Sequence, residues 1–86
     1  MELNQAVITT KYIINDGFTI TEVIKDEDGD FQFLGGQVMT EEDAIVVSLE
    51  QIVKLDKSVK CLLEMECETM AYRNSINDEW VLRNLE

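Results

Sequence analysis

The stretch Phe18-Thr19-Ile20-Thr21-Glu22-Val23-Ile24-Lys25-Asp26-Glu27-Asp28-Gly29-Asp30-Phe31-Gln32-Phe33-Leu34-Gly35-Gly36 decides the fold. Its first half alternates apolar and polar residues, as a strand does, with Phe18, Ile20 and Glu22 on one face and Thr19, Thr21 and Val23 on the other. The alternation is imperfect, as it is when both faces are partly covered. Asp26 to Asp30 is a turn with Asp-Gly at its tip, where Gly supplies the positive φ of a tight hairpin. Phe31 to Leu34 returns as a short strand with Phe31 and Phe33 on one face, and Gly35-Gly36 ends it.

Working outward, Ala6 to Ile14 is dense in β-branched residues and reads as another strand. Asn15-Asp16-Gly17 then reads as the hairpin turn into Phe18. On the other side, Thr40 with Asp43 resembles a capping box, while Ala44 to Val47 suits a strand or a buried run. Ser48 with Gln51 is a better helix start, and Leu49, Ile52, Val53 and Leu55 fit one apolar face. Asp56 starts a second short helix, with Val59, Leu62, Leu63 and Met65 as its stripe. From Cys67 to Asn74 the period changes to that of a strand, and Glu79 to Arg83 forms a last strand antiparallel to it. The expected class is α+β, one domain over residues 1–86, with an antiparallel sheet of about five strands and one or two short helices in the middle of the chain.

Charge narrows the function. Asp26 to Asp56 contains nine acids and one base, which leaves −8 of the chain's net −11 in one segment. Such a directional field favours a cationic partner and repels nucleic acid, whose recognition needs clustered Lys and Arg. The bases are dispersed, and the one local group, Lys54, Lys57 and Lys60, reads as a solvated helix face. No apolar run approaches the roughly 20 residues of a membrane span. Met1 to Gln5 has neither the basic nor the apolar region of a signal peptide, so a cytoplasmic protein with reduced thiols is expected. Cys61 and Cys67 sit among Leu62, Leu63 and Met65, and core packing is the expectation for both.

Catalytic readings find little to stand on. With no His in the chain, Ser48 and Ser75 have no base to activate them. Glu41 and Glu42 lack the two contrasting environments that acid–base carboxylate pairs use. Gly35-Gly36 has no following Lys and helix, so it is not a phosphate loop. Asp26, Asp28 and Asp30 suggest calcium, but Gly29 falls at loop position 4 instead of 6 and Gln37 stands where a bidentate Glu belongs. No cofactor is expected. Among the large side chains Phe18, Phe31, Phe33, Tyr72 and Trp80, most are expected in the core and one or two at a protein surface.

The ordered set Asp30 to Gly36, Val46 to Ile52, Leu55 to Val59 with Leu62-Leu63, Ala71-Tyr72-Arg73 and Trp80 resembles the Imm33-like immunity protein family. The resemblance runs from about Ala6 to Trp80. It departs from the family at Lys57 and around Glu66-Cys67-Glu68, where the family has proline and proline-glycine. It implies a bacterial, non-catalytic protein that neutralises a cognate toxin. A basic toxin domain is the natural match for an acidic inhibitor, which gains association rate by steering. Asp26, Glu27, Asp28, Asp30, Glu41, Glu42 and Asp43 are the candidate binding residues; the competing reading of the same residues is solubility. Two other classes remain: a regulatory domain that forms a homodimer through a sheet edge, and a small-ligand or metal module, which calcium titration followed by Trp80 fluorescence separates from the first two.

Overall fold

The computed structural model describes residues 3–36 and 40–85. Met1, Glu2 and Gln37, which entered the leader and calcium readings, lie outside them. Six strands form one sheet: β1 (Ala6–Thr10), β2 (Glu22–Lys25), β3 (Phe31–Leu34), β4 (Ala44–Ser48), β5 (Thr69–Tyr72) and β6 (Val81–Asn84), in the order β4-β1-β3-β2-β5-β6. The class is α+β, but the sheet is mixed: β1 runs parallel to β3, and the other pairs are antiparallel.

The difference from an all-antiparallel sheet begins at Thr10. The chain leaves β1 there as a short helix α1 (Lys11–Asp16) instead of continuing as strand. Thr10 Oγ1 accepts from the Ile13 amide at 3.4 Å, and Gly17, at φ 74°, closes the other end by donating its amide to the Tyr12 carbonyl. The glycine that suits a hairpin turn suits a helix C-cap equally, because both need a left-handed residue. With the first hairpin replaced by a helix, β1 pairs instead with β3, at Ile8↔Gln32. The β2–β3 hairpin forms as the sequence indicates, with Lys25↔Phe31 as its last pair, although β2 begins only at Glu22.

Thr40 and Asp43 flank a 3-10 turn (Glu41–Asp43) that leads directly into β4, so Ala44 to Val47 is strand. Helix α2 (Leu49–Leu55) starts where Ser48 Oγ accepts from the Gln51 amide at 3.2 Å. Asp56 caps the 3-10 helix Lys57–Leu62 by accepting from the Ser58 amide at 2.9 Å. Lys54, Lys57 and Lys60 are all exposed, as a solvated face requires.

All helices lie on one face of the sheet. Val7, Val23, Phe31, Phe33 and Ala71 point into that layer and meet Ile13, Leu49, Ile52, Val59 and Leu62. Phe31 and Phe33 are fully buried, whereas Phe18 and Tyr72 are exposed and Trp80 is half-buried. Two expectations for the helical stretch are corrected. Leu55 is 52% exposed, since α2 buries Leu49, Ile52 and Val53 and turns position 55 outward. Cys61 and Cys67 are both exposed and free. In a 3-10 helix residues three apart share a face, so burying Val59 and Leu62 turns Cys61 to solvent. Among the described residues no helix is long and apolar enough to cross a membrane.

Candidate partner-binding site

The strand directions decide which acids meet. The β2–β3 turn carries Asp26, Glu27, Asp28 and Asp30 at one end of the sheet. Strand β4 begins opposite Thr10, at the far end of β1, so Glu41, Glu42 and Asp43 precede it at the opposite end of the strands. At about 3.3 Å per residue the two groups are separated by roughly 15 Å of strand. They do not merge into one cluster. A different neighbour joins the turn: the pair Lys25↔Thr69 sets Glu68, which leads into β5, at the same end of the sheet as Asp26. That pairing spans more than 40 residues and left no trace in local sequence pattern. The near base, Lys25, is engaged on the helical face, donating to the Met65 carbonyl at 2.9 Å with its ammonium over the Phe31 ring.

The seven candidate residues also differ in what they do for the fold. Asp26 Oδ1 accepts from the amides of Asp28 and Asp30, at 2.9 and 3.0 Å, and so shapes its own turn. Gly29 completes the turn at φ 87°. One carboxylate oxygen from each of Asp26, Asp28 and Asp30 lies within 4.8 Å of the others, a spacing that a turn of exposed acids produces without any ion. Asp43 is buried and structural. It accepts from the Thr40 amide at 3.0 Å and pairs with Lys11 at 3.1 Å, tying the entry of β4 to the start of α1. The Thr40 amide, followed by Lys11, holds the Asp43 carboxyl below its ordinary 3.8 against the cost of burial. Asp28, Asp30, Glu27, Glu41 and Glu42 are exposed and free to meet a partner.

Four residues of the motif set converge elsewhere: Asp56, Ser58, Arg73 and Trp80. The Arg73 guanidinium is buried, pairs with Asp56, and donates through Nε and Nη2 to the Ile20 carbonyl at 3.1 and 2.9 Å. Its Nη1 donates to Ser58 Oγ at 3.0 Å, and Trp80 Nε1 donates to the same oxygen at 3.1 Å. The Trp80 ring stacks 4.1 Å from the guanidinium carbon. The network joins β5, the segment before β2, the 3-10 helix and the last loop. The Arg73 side chain is 1% exposed and its donors are already used within the protein. The network's role is to hold the hairpin β5–β6 against the helices.

Burial disfavours the charged form of Asp56, but the Ser58 hydroxyl, Arg73 and the Ser58 amide outweigh it and keep the carboxyl below its ordinary 3.8. A group with a lowered folded-state pKa binds fewer protons folded than unfolded, so its contribution is complete above the ordinary value and fades as pH falls through the folded one. Thermal melts from pH 7 to pH 2 should therefore show a loss of stability concentrated below about pH 4. In Asp56→Asn that loss should be visibly shallower; an unchanged slope contradicts the assignment.

Comparison of the chain with protein-family models, with curated proteins and with solved structures found no match.

Proposed function

We propose that this chain is a non-catalytic binding domain that captures a basic protein partner, and that it acts in the bacterial cytoplasm as an immunity protein neutralising a cognate toxin domain. The observation that carries this reading is that the Lys25↔Thr69 pairing brings Glu68 to the same end of the sheet as Asp26, Glu27, Asp28 and Asp30. Carboxylates from two distant segments thus share one end of the sheet, on a chain of net charge −11. A field of that kind steers a basic domain and raises its association rate. The resemblance to Imm33-like proteins supplies the toxin as the partner.

The test uses the C-terminal domain encoded by the reading frame next to this chain's own. Stopped-flow association should slow by about ten-fold or more in Asp28→Lys/Asp30→Lys, and the slope against salt should flatten. Unchanged rates contradict the site, and a neighbouring frame with no toxin domain contradicts the function. A second reading, self-association through the edge strand β6, draws on the exposure of Val81 and Leu82. Sedimentation of the pure protein distinguishes it by its mass.

A further inference from the structure

Among the described residues, helices cover only one face of the sheet. The register places Val46, Ile8, Gln32, Ile24, Met70 and Arg83 in one row across the other face. Leu34, Glu22, Tyr72 and Val81 form the next row. Among the described residues no element packs over these rows: Val46 is 69% exposed, Val81 48%, Tyr72 39% and Ile8 36%. Gln32 interrupts the first row, Arg83 ends it at the β6 edge and Glu22 stands beside Tyr72 in the second, while Ile24 and Met70 between them are half-exposed. Apolar side chains gathered on an uncovered face mark an interaction site more often than scattered ones do.

We infer that this uncovered face is where the basic partner docks, with the acids of both ends serving as its rim; the inference rests on the binding function proposed above. Size and charge together select the occupant. Six strands at about 4.8 Å spacing and roughly 15 Å of strand give an apolar face of a few hundred Å², less than the roughly 800 Å² each partner contributes to a stable complex. The interface must therefore run over the rim. At one end the rim is Asp26, Asp28 and Glu68, and at the other it is Glu41 and Glu42. The two acid groups that do not touch each other thus bracket the same surface. A second copy laid face to face brings acid against acid in either orientation, because both ends carry the same sign. A basic partner is complementary at both ends at once, while its apolar centre meets Ile8, Ile24, Met70 and Tyr72.

Removing apolar contact at the centre should act on dissociation, and reversing rim charge should act on association. With the same toxin domain as probe, Val46→Thr/Tyr72→Thr should raise the dissociation rate by about ten-fold or more and leave the association rate within about two-fold. Threonine keeps the strand propensity of these exposed positions, and circular dichroism melts check the fold. Should the double variant melt early, Val81→Thr carries the same test at the edge. If the wild type binds and only the charge reversals weaken it, the apolar face is not the site and the binding function stands. If the wild type does not bind, both fall. If ultracentrifugation shows a dimer that Val46→Thr/Tyr72→Thr dissolves, the occupant is a second copy and the inference is overturned.

Discussion

Arg73→Ala should destabilise the domain by about 3–5 kcal/mol, the range for removing one partner from a buried ion pair. The Arg73 side chain is 1% exposed and that of Asp56 11%, so truncation leaves a carboxylate with little access to water. The Ile20 carbonyl loses two donors at the same time, and Trp80 loses the cation it stacks on. For a chain of this size each kcal/mol shifts the melting midpoint by roughly 4–8 °C. The expected fall is therefore at least about 12 °C by thermal melt. Asp56→Leu combined with Arg73→Met should cost less than the two single changes added together, because no lone charge remains buried. A single variant within about 1 kcal/mol of wild type means that the network is not what secures the hairpin.

Phe33→Ala should cost a similar amount, about 3–5 kcal/mol by chemical denaturation. Phe33 is fully buried in the central strand β3, stacked on Phe31 with ring centroids 5.7 Å apart. Its strand lies between β1 and β2 and its ring packs into the layer beneath the helices, so the vacancy cannot collapse without moving several elements. The backbone beside it is also occupied: its carbonyl accepts from the Thr9 hydroxyl at 2.9 Å, which ties β3 to β1. In a domain whose total stability is of order 5–15 kcal/mol, this loss leaves little in reserve. Phe18→Ala is the contrasting control. Phe18 is exposed and stacks only on Tyr12, at 6.0 Å, so its loss should be well under half as large. Equal losses at the two positions would contradict the core described here.

Local chemistry made much of this legible. The hairpin of β2 and β3, the caps at Ser48 and Asp56, and the paired strands β5 and β6 all follow from turn residues, capping hydroxyls and alternation within a few positions. What escaped is long-range or ambiguous. Lys11 to Asp16 is too short to show a helical period, and Gly17 serves a turn and a C-cap alike. The parallel contact of β1 with β3 depends on that choice, so one local ambiguity altered the sheet's topology. Cys61 lies opposite the stripe of Val59, Leu62 and Leu63 in either kind of helix, so its exposure was legible in the apolar spacing, and the apolar character of its sequence neighbours was the wrong guide.

The candidate site divides in the same way. Asp28, Asp30, Glu27, Glu41 and Glu42 are exposed, as their composition suggested, but Asp43 is spent on the Thr40 amide and Lys11. Acidity in one segment of sequence became acidity at two ends of the sheet, because β4 enters from the far side. The contribution of Glu68 required knowing that β5 pairs with β2. Asp56, Ser58, Arg73 and Trp80 were conspicuous as motif residues, yet only the fold reveals that they converge on one buried guanidinium.

The most direct test of the central claim, that this domain works by binding a basic toxin instead of by catalysis, is co-expression. The toxin domain of the neighbouring reading frame is induced in cells with and without this chain, and growth is followed. The expected result is arrest without the chain, growth with it, and loss of protection in Asp28→Lys/Asp30→Lys. Arrest in both cultures, or protection untouched by that charge reversal, contradicts the account.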